Sequence, residues 1–245
     1  RLAVAMVIGA AFAALAGFLI GIPVLRLNGD YLAIVTLAFG EIIKSIFNNL
    51  YVGVDSSGLH MSLLSDKTDL AEGGKLLISG PMGIGGIQKI STFTAGFLLI
   101  LLTLVVVFNL VNSRAGRAIM AIRDNRIAAE SVGLNVTWYK LAVFVIAAFF
   151  AGCAGVLYGH SLANIKAAAF DYNMSIEILV IVVLGGMGSV PGSIASAIVL
   201  TVLPEALREV ADYRMLVYAI VLILVMQATN NPTMKRFFGS VREKL

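Results

Sequence analysis

Residues 141–165 read LAVFVIAAFFAGCAGVLYGHSLANI, a stretch that contains no Asp, Glu, Lys or Arg. A helix needs about 20 predominantly apolar residues to cross a bilayer, so this stretch is long enough to span one. Comparable uncharged runs occupy 2–25, 90–113, 178–204 and 215–234. The runs lack the apolar and polar alternation of a membrane barrel strand, and a backbone in lipid must satisfy its own hydrogen bonds. We therefore predict helices.

The composition of the whole chain indicates the same class. Hydrophobic residues make up 59% of the 245 residues and charged residues 13%, against roughly 45–50% and about 25% in soluble domains. This balance argues against a water-soluble fold. The sequence predicts an all-α, polytopic helical membrane protein with about five full spans, a broken re-entrant helix hairpin and a short helix in a cytosolic loop. The full spans are predicted at 2–25, 31–50, 92–111, 141–159 and 215–234.

Basic residues lie at the ends of the predicted spans. The formal net charge is +4, with five basic residues between the third and fourth spans and four after the last. They are Arg114, Arg117, Arg123, Arg126 and Lys140, and then Lys235, Arg236, Arg242 and Lys244. Because cytoplasmic loops carry an excess of Lys and Arg, this placement predicts an orientation in a lipid bilayer and no nucleic-acid partner. Residues 112–140 are predicted as a cytosolic loop, and 51–89 as an extracytoplasmic loop.

The apolar run at 176–204 is interrupted by GGMGSVPG at 185–192. As one broken span it would leave the basic tail outside, against the positive-inside tendency. We expect instead two half-helices of about 14 residues, or about 21 Å each, which is short of the roughly 30 Å hydrocarbon core. Non-helical backbone at that depth must be buried or line a cavity, so Gly185, Gly186 and Gly188 are candidates for the substrate pathway. The alternative is that they only permit a tight turn.

The cytosolic loop contains RDNRIAAESVG at 123–133, which has the signals of a short helix. Asp124 is predicted to cap the first turn, and Gly133 to end the helix in the left-handed conformation. About eight helical residues are not stable alone in water, so the helix must pack on something. A groove in a cytosolic partner and the membrane domain of the same chain both remain possible supports.

Several motifs resemble one transporter family. Ile127-Ala128-Ala129, followed after three residues by Gly133, is similar to the EAA loop of ABC importer permeases, with Ile127 where that motif usually has glutamate. More specific are LRLNGDYLAIVTLAFGEI at 25–42, GRAIMAIRD at 116–124 and VVLGGMGS at 182–189. With these motifs the chain resembles the LivM-type permease subunits of branched-chain amino-acid ABC importers, over about residues 22–225.

The resemblance implies one permease domain over 1–245, with further helices before it, in the bacterial plasma membrane. It implies a non-enzymatic subunit without a cofactor, which forms a heterodimer with a homologous permease subunit. Two cytosolic ATPase subunits would bind the loop helix, and an extracytoplasmic binding protein would deliver a small, branched-chain amino acid. The loop at 51–89 departs from the common family form. Coupling to the ATPase is expected at Arg117, Arg123, Asp124, Asn125, Ala128, Ala129, Glu130 and Gly133.

Glu41 lies inside the second predicted span. An ionisable side chain there is a functional hypothesis by default, because burying it in the membrane is costly. Lys44 lies one turn further along and could neutralise it. A structural ion pair and a role of Glu41 in the substrate pathway therefore both remain open.

Small residues recur every four positions along the fourth span, at Ala147, Ala151, Gly155 and Gly159. Such spacing predicts a face on which another helix approaches closely. Gly17 and Gly21 indicate a similar face on the first span.

The sequence offers no catalytic or metal-binding set. His60 and His160 have no partners at metal-ligand spacing, and Cys153 is the only cysteine. The nearest approach to a phosphate-binding loop, Gly73–Leu76, lacks the upstream glycine and the Ser or Thr after the lysine. The main rival hypothesis is a secondary transporter, which also uses broken helices; Glu41 and Glu177 would be its only plausible ion carriers.

Overall fold

The computed structural model describes residues 2–27, 29–55, 58–63, 75–162, 164–186, 188–206 and 223. These residues are mostly helical, and the chain divides into two compact units, Arg1–Asp171 and Tyr172–Leu245. Within the described residues, five segments are long and apolar enough to cross a membrane: Leu2–Val24, Tyr31–Asn48, Phe93–Asn112, Val136–Ser161 and Ala167–Gly185. The predicted class, a polytopic helical membrane protein, is confirmed.

Four of the five predicted full spans coincide with the first four of these segments. The predicted span at 215–234 lies, apart from residue 223, outside the described residues. The fifth segment, Ala167–Gly185, contains the first predicted half-helix, which begins at 176, and starts nine residues before it. Its apolar run continues through a single turn of 3-10 helix at Ala167–Ala169, and the sequence alone did not indicate this turn.

The first unit contains six helices and five strands in the described part of the chain. Its helices are α1 (Leu2–Val24), α2 (Asp30–Asn48), α3 (Phe93–Asn112), α4 (Arg114–Asp124), α5 (Arg126–Ser131) and α6 (Val136–Ser161). The second unit contains α7 (Tyr172–Gly185) and α8 (Val190–Ala206). Charged residues limit the long helices: α3, for example, lies between Lys89 and Arg114.

The surface of helix α3 is apolar. Helix α3 has no buried residue, and Phe93 at its start is 90% exposed. Soluble monomers rarely expose apolar patches of more than a few hundred Å². These side chains are therefore suited to contact with lipid or with other apolar helices.

Helices α1 and α6 pack against each other through small residues. A Cβ at Gly17 would lie 2.7 Å from the Cβ of Ala148, and one at Gly152 would lie 2.6 Å from the Cβ of Ala13. The predicted role of Gly17 in close packing is confirmed. The small-residue stripe predicted on α6, which begins at Ala147, does not form this contact. The contact is made by the neighbouring row that includes Ala148 and Gly152. A Cβ at Gly155 of the predicted stripe would meet nothing within 4 Å.

Residues 50–79 contain a three-stranded antiparallel sheet, whereas the sequence predicts only a loop at 51–89. Strands β1 (Leu50–Asp55), β2 (Gly58–Leu63) and β3 (Lys75–Ser79) are arranged in the order β2-β1-β3. Val52 of the central strand is buried and lies opposite Met61 on one side and Ile78 on the other. The sheet adds a β element to the helical class, and its strands were missed because they are short.

A second, two-stranded sheet joins this region to the end of α6. Strand β4 (Ile84–Gly85) pairs antiparallel with β5 (Asn164–Ile165). Nearby, Nδ1 of His160 lies 3.1 Å from the carbonyl oxygen of Gln88. The segment after β3 therefore pairs with the chain that follows α6. This contact lies at the C-terminal end of α6, whereas α4 and α5 lie at its N-terminal end.

Candidate functional site

A sharp turn connects α3 to α4. The hydroxyl of Ser113 accepts the backbone N–H of Gly116 at 3.0 Å and donates to the carbonyl of Leu110 at 2.6 Å. Gly116 is buried so closely against this turn that a Cβ would overlap the carbonyl oxygens of Leu110 and Val111. The turn therefore requires glycine at 116, and it fixes the direction in which α4 leaves the end of α3.

Asn125 separates α4 from α5 and begins α5. Its N–H donates to the carbonyl of Ala121 at 3.0 Å, and its Oδ1 accepts the N–H of Ala128 at 3.0 Å. The prediction that Asp124 caps α5 is wrong by one residue. Asp124 is the last residue of α4, and its Oδ1 lies 3.2 Å from Nη2 of Arg123. Helix α4 was not predicted and holds Asp124 in helical backbone. Asn125 instead has the extended backbone of an N-cap, with φ −153° and ψ 104°.

Helix α5 is followed, as predicted, by Gly133 in the left-handed conformation, with φ +84°. The N–H of Gly133 donates to the carbonyl of Glu130 at 3.0 Å, and the N–H of Leu134 donates to that of Ala129 at 3.1 Å. These two bonds form a Schellman motif, which satisfies the last carbonyls of the helix. With six residues, Arg126–Ser131, α5 is shorter than predicted and depends on its surroundings for stability.

One face of α5 packs on its own chain. Ala129 is 3% exposed and lies in an apolar cluster with Ile122 of α4 and Val136 of α6. Leu134 and Tyr139 pack against the same cluster. Of the two supports that the sequence left open, the chain's own helices therefore supply one. A larger side chain at 129 would have to displace Ile122 or Val136.

The opposite face of α5 is exposed. Ile127 is 79% exposed, and Ala128 beside it is also exposed. Arg126 and Glu130 form an ion pair one turn apart, with Nε and Oε1 at 3.0 Å, and both side chains are about half exposed. An exposed pair of this kind contributes at most about 1 kcal/mol of stability. The face thus presents an apolar tip between charged side chains, and no residue in the described ranges covers it.

The structure brings the predicted coupling residues together on α4, α5 and the turn after α5. Seven of the eight are exposed: Arg117, Arg123, Asp124, Asn125, Ala128, Glu130 and Gly133. The buried exception is Ala129, which faces the chain itself. The Nη1 atom of Arg117 donates to the carbonyl of Asn112 at 3.2 Å, so this side chain ties α4 to the end of α3.

Glu41 and Lys44 form the ion pair that their spacing on α2 predicted. The Nζ atom of Lys44 lies 2.7 Å from Oε2 and 2.9 Å from Oε1 of Glu41. The lysine side chain is 22% exposed and the glutamate side chain 45%. The two charges neutralise each other locally, which makes their position within an apolar helix less costly.

Lys44 also lines an apolar cavity of about 420 Å³ in the first unit. The cavity lies between the end of α2 and the segments around β4 and β5, and most of its lining is aliphatic or aromatic. The lining includes Ile43, Phe47, Ile78, Ile84, Ile165 and Phe170. Its volume falls within the range of small-molecule sites, and the one charged side chain in its wall is the kind of polar group that orients a ligand.

In the second unit, the predicted break in the apolar run is confirmed. Helix α7 ends at Gly185 and α8 begins at Val190, with Gly186 at φ +87° and Gly188 at φ +93° between them. A Cβ at Gly185 would overlap the backbone of Gly192 at the start of α8. The two helices therefore meet backbone against backbone, and the positive φ angles require glycine in the turn.

The chain matches, over residues 1–226, the family described as branched-chain amino acid transport system / permease component. The chain belongs to this permease family. The permease is 38% identical over 223 residues to the high-affinity branched-chain amino acid transport system permease protein LivM of Salmonella typhimurium, a match covering 87% of the chain and 52% of that relative. The protein of the same name in Escherichia coli is 38% identical over 224 residues, covering 87% and 53%. The permease thus spans about half the length of the curated relatives it matches.

A second type of relative is also similar. The high-affinity branched-chain amino acid transport system permease protein LivH of Salmonella typhimurium is 33% identical over 117 residues, which cover 46% of the chain and 37% of that relative. No solved structure gives a significant match. These relatives are transport permeases and not enzymes. Family and apolar helices together make the chain a multi-pass membrane protein.

Sequence reasoning missed three residues that shape the permease's candidate sites. Gly116 belongs to the GRAIMAIRD motif, but nothing in the sequence indicates that it packs against the carbonyl groups at the end of α3. Gly192 faces Gly185 across the hairpin, and the pairing of two glycines seven residues apart was a signal that could have been used. Asn125 was expected at the coupling surface, but its role as the cap was given to its neighbour Asp124.

Proposed function

We propose that the chain is a permease subunit of an ATP-driven importer and forms half of a translocation pathway for a branched-chain amino acid in the plasma membrane. Its family and the names of its relatives support the transport class. The observation that carries the ATP-driven part is α5. This helix has one face packed on its own chain, and no described residue covers its other face. A helix that binds a separate ATPase subunit needs both faces.

The proposed coupling acts through direct packing. A cytosolic ATPase subunit would bind the exposed face, at Ile127, Ala128 and the Arg126–Glu130 pair. Displacement of α5 would then move the cluster of Ala129, Ile122 and Val136 as a body, because close-packed interiors have low compressibility. Val136 is the first residue of α6, and α6 packs along α1 through Ala148 and Gly152. Motion at α5 would thereby reach the membrane helices.

The cavity beside Lys44 is proposed as part of the substrate pathway. In the predicted orientation it lies toward the extracytoplasmic end of α2, where a binding protein would deliver substrate. Its aliphatic and aromatic wall suits the side chain of leucine, isoleucine or valine. Lys44, in the wall, carries the charge that complements the carboxylate of an amino acid. Glu41, which pairs with Lys44, is proposed as a second residue of the pathway. In the second unit, Gly186 and Gly188 are a separate candidate for the substrate pathway, because glycine leaves its backbone groups accessible to a ligand.

The proposed partners follow from the same assignment. They are a homologous permease subunit, two cytosolic ATPase subunits and an extracytoplasmic binding protein. The relatives of both the LivM and the LivH type, described as permease proteins of one kind of transport system, support a pairing of two permease subunits.

A bulky residue on the exposed face of α5 tests the coupling. We expect Ala128→Trp to uncouple the transporter, so that ATP hydrolysis by the reconstituted complex no longer drives amino-acid uptake into proteoliposomes. Ala128 is exposed, so the new side chain does not disturb the cluster around Ala129. Thr137→Trp is the matched control: it places the same bulk on an exposed position in the first turn of α6.

Wild-type coupling in Ala128→Trp, or equal loss in Thr137→Trp, would contradict the role of α5. The rival hypothesis, a secondary transporter, predicts uptake that continues without ATPase subunits and collapses with the ion gradient. That outcome would overturn the proposed energy source even if the substrate were correct.

The substrate cavity is tested separately. Ile43→Trp narrows the cavity without removing a charge, and we expect it to lower uptake of leucine more than uptake of alanine in the same proteoliposomes. The reason is that the larger side chain requires more of the apolar space. An equal reduction for both amino acids would argue against this location for the aliphatic side chain.

A further inference from the structure

A second cavity, of about 510 Å³, lies at the other end of the first unit. It is bounded by the residue that follows α1, by α4 and by the first turns of α6. Its lining is apolar along most of its length, with Leu25, Ile119, Val143, Phe144 and Ala147. The remaining lining residues are Ile122, Tyr139 and two cations, Arg123 and Lys140. We call this cavity the basic-ended groove.

The charges and the apolar wall are separated along α6. Lys140 lies in the first turns of the helix, and Ala147 lies about 10 Å further along its axis, at 1.5 Å per residue. Ala147 and Arg123 are both exposed, so the groove is open at both positions. A ligand that fills it must be anionic at one end and apolar over at least that distance.

Both cations have donors available for such a ligand. Lys140 is half buried and, among the residues that the structure describes, forms no ion pair. Arg123 contacts Asp124 through Nε and Nη2, which leaves further N–H groups of its guanidinium free to donate. Lysine and arginine donors at the edge of a helical membrane domain are the groups that bind phosphate headgroups of lipids.

We propose that the basic-ended groove binds one anionic phospholipid. The phosphate is held by Lys140 and Arg123, and one acyl chain lies along α6 against Val143, Phe144 and Ala147. Free phosphate would gain nothing from the apolar wall. An acidic peptide would leave backbone N–H and C=O groups without partners in the apolar part, which costs free energy. A lipid satisfies both ends of the groove.

The proposal does not depend on the identity of the substrate, and it shares only Arg123 with the coupling residues named above. It has one structural consequence for the loop: Arg123 belongs to α4 and Lys140 to α6, so a shared phosphate would join the two helices that support α5. The bound lipid would then stabilise the arrangement of α4 against α6 beside the cluster of Ile122 and Val136.

Native mass spectrometry of the full protein, purified with the subunits that accompany it, tests the site. The protein is titrated with dioleoylphosphatidylglycerol or dioleoylphosphatidylcholine, which have the same acyl chains. We expect one adduct that favours the anionic lipid. Lys140→Gln should weaken it about fivefold, the value expected for one basic residue at an anionic headgroup. Lys140→Arg should restore it.

Two further variants separate the headgroup from the chain. Ala147→Phe fills the apolar part and should weaken binding of both lipids, while Lys166→Gln, an exposed lysine outside the groove, should have no effect. Glycerol phosphate should not displace the lipid. Equal affinity for the two lipids, equal loss in Lys166→Gln, wild-type binding in Ala147→Phe, or displacement by glycerol phosphate would each overturn the proposal.

Discussion

Substitution of Gly133 by alanine should loosen α5 without touching any other side chain. Gly133 has φ +84°, and a Cβ built there meets nothing within 4 Å, so the cost of the change comes from the backbone alone. An L-residue in the left-handed region costs about 1–2 kcal/mol. The N–H of Leu134, which donates to the carbonyl of Ala129 at 3.1 Å, reports on the helix end directly.

Hydrogen exchange of the detergent-solubilised protein measures this effect at single amides. A loss of about 1–2 kcal/mol corresponds to an increase of about 5-fold to 30-fold in the open population, and so in the exchange rate of the Leu134 amide. Gly133→Asn should exchange more slowly than Gly133→Ala, because asparagine adopts the left-handed conformation at lower cost.

Gly155→Ala is the control for this prediction. It makes the same chemical change at a position that also has nothing within 4 Å, but in the interior of α6, where alanine is favoured over glycine by about 1 kcal/mol. It should not raise exchange at Leu134. If Gly133→Ala exchanged like the wild type, or if Gly155→Ala loosened α5 equally, the Schellman motif would not be what ends and holds this helix.

Two further substitutions test the caps and the hairpin. Asn125→Ala should destabilise α5 by about 1 kcal/mol through loss of its cap, whereas Asp124→Ala should cost less; hydrogen exchange at Ala128 compares them, and a larger effect of Asp124→Ala would refute the assignment. Gly192→Ala should lower the free energy of unfolding of the purified protein by about 1–3 kcal/mol, because its Cβ would overlap the backbone of Gly185. Thermal denaturation measures this change, and an unchanged melting temperature would contradict the close contact.

The sequence predicted the membrane helices well because their signal is local. An uncharged run of about 20 residues has few alternatives in a membrane protein, and α1, α3 and α6 lie where such runs lie. Helix α2 lies where a span was predicted although it contains Glu41 and Lys44. The break at Gly186 and Gly188 was predictable for the same reason, since glycines that interrupt such a run have a direct effect on the backbone. Neither the membrane helices nor this break had to be inferred from tertiary contacts.

The features that sequence analysis missed depend on contacts between distant residues. The three strands at 50–79 are short, and their stability comes from pairing, as between Val52 and Ile78, which local pattern does not reveal. The face of α6 that meets α1 could not be chosen from spacing, because Ala147 and Ala148 each begin a row of small residues. Only the position of α1 decides that Ala148 faces Gly17 while Ala147 is exposed.

Helix α5 combines both kinds of information, and this explains why it was predicted in part. Gly133 ends α5 through its own left-handed backbone conformation, so its role could be predicted from the sequence. Asn125 became the cap because α4 extends through Asp124, and α4 in turn is held by Gly116 against the end of α3. A six-residue helix that is fixed at both ends and along one face has little freedom to bend. Under the proposed function, a force applied at Ile127 would reach α4 and α6 through the cluster of Ala129, Ile122 and Val136.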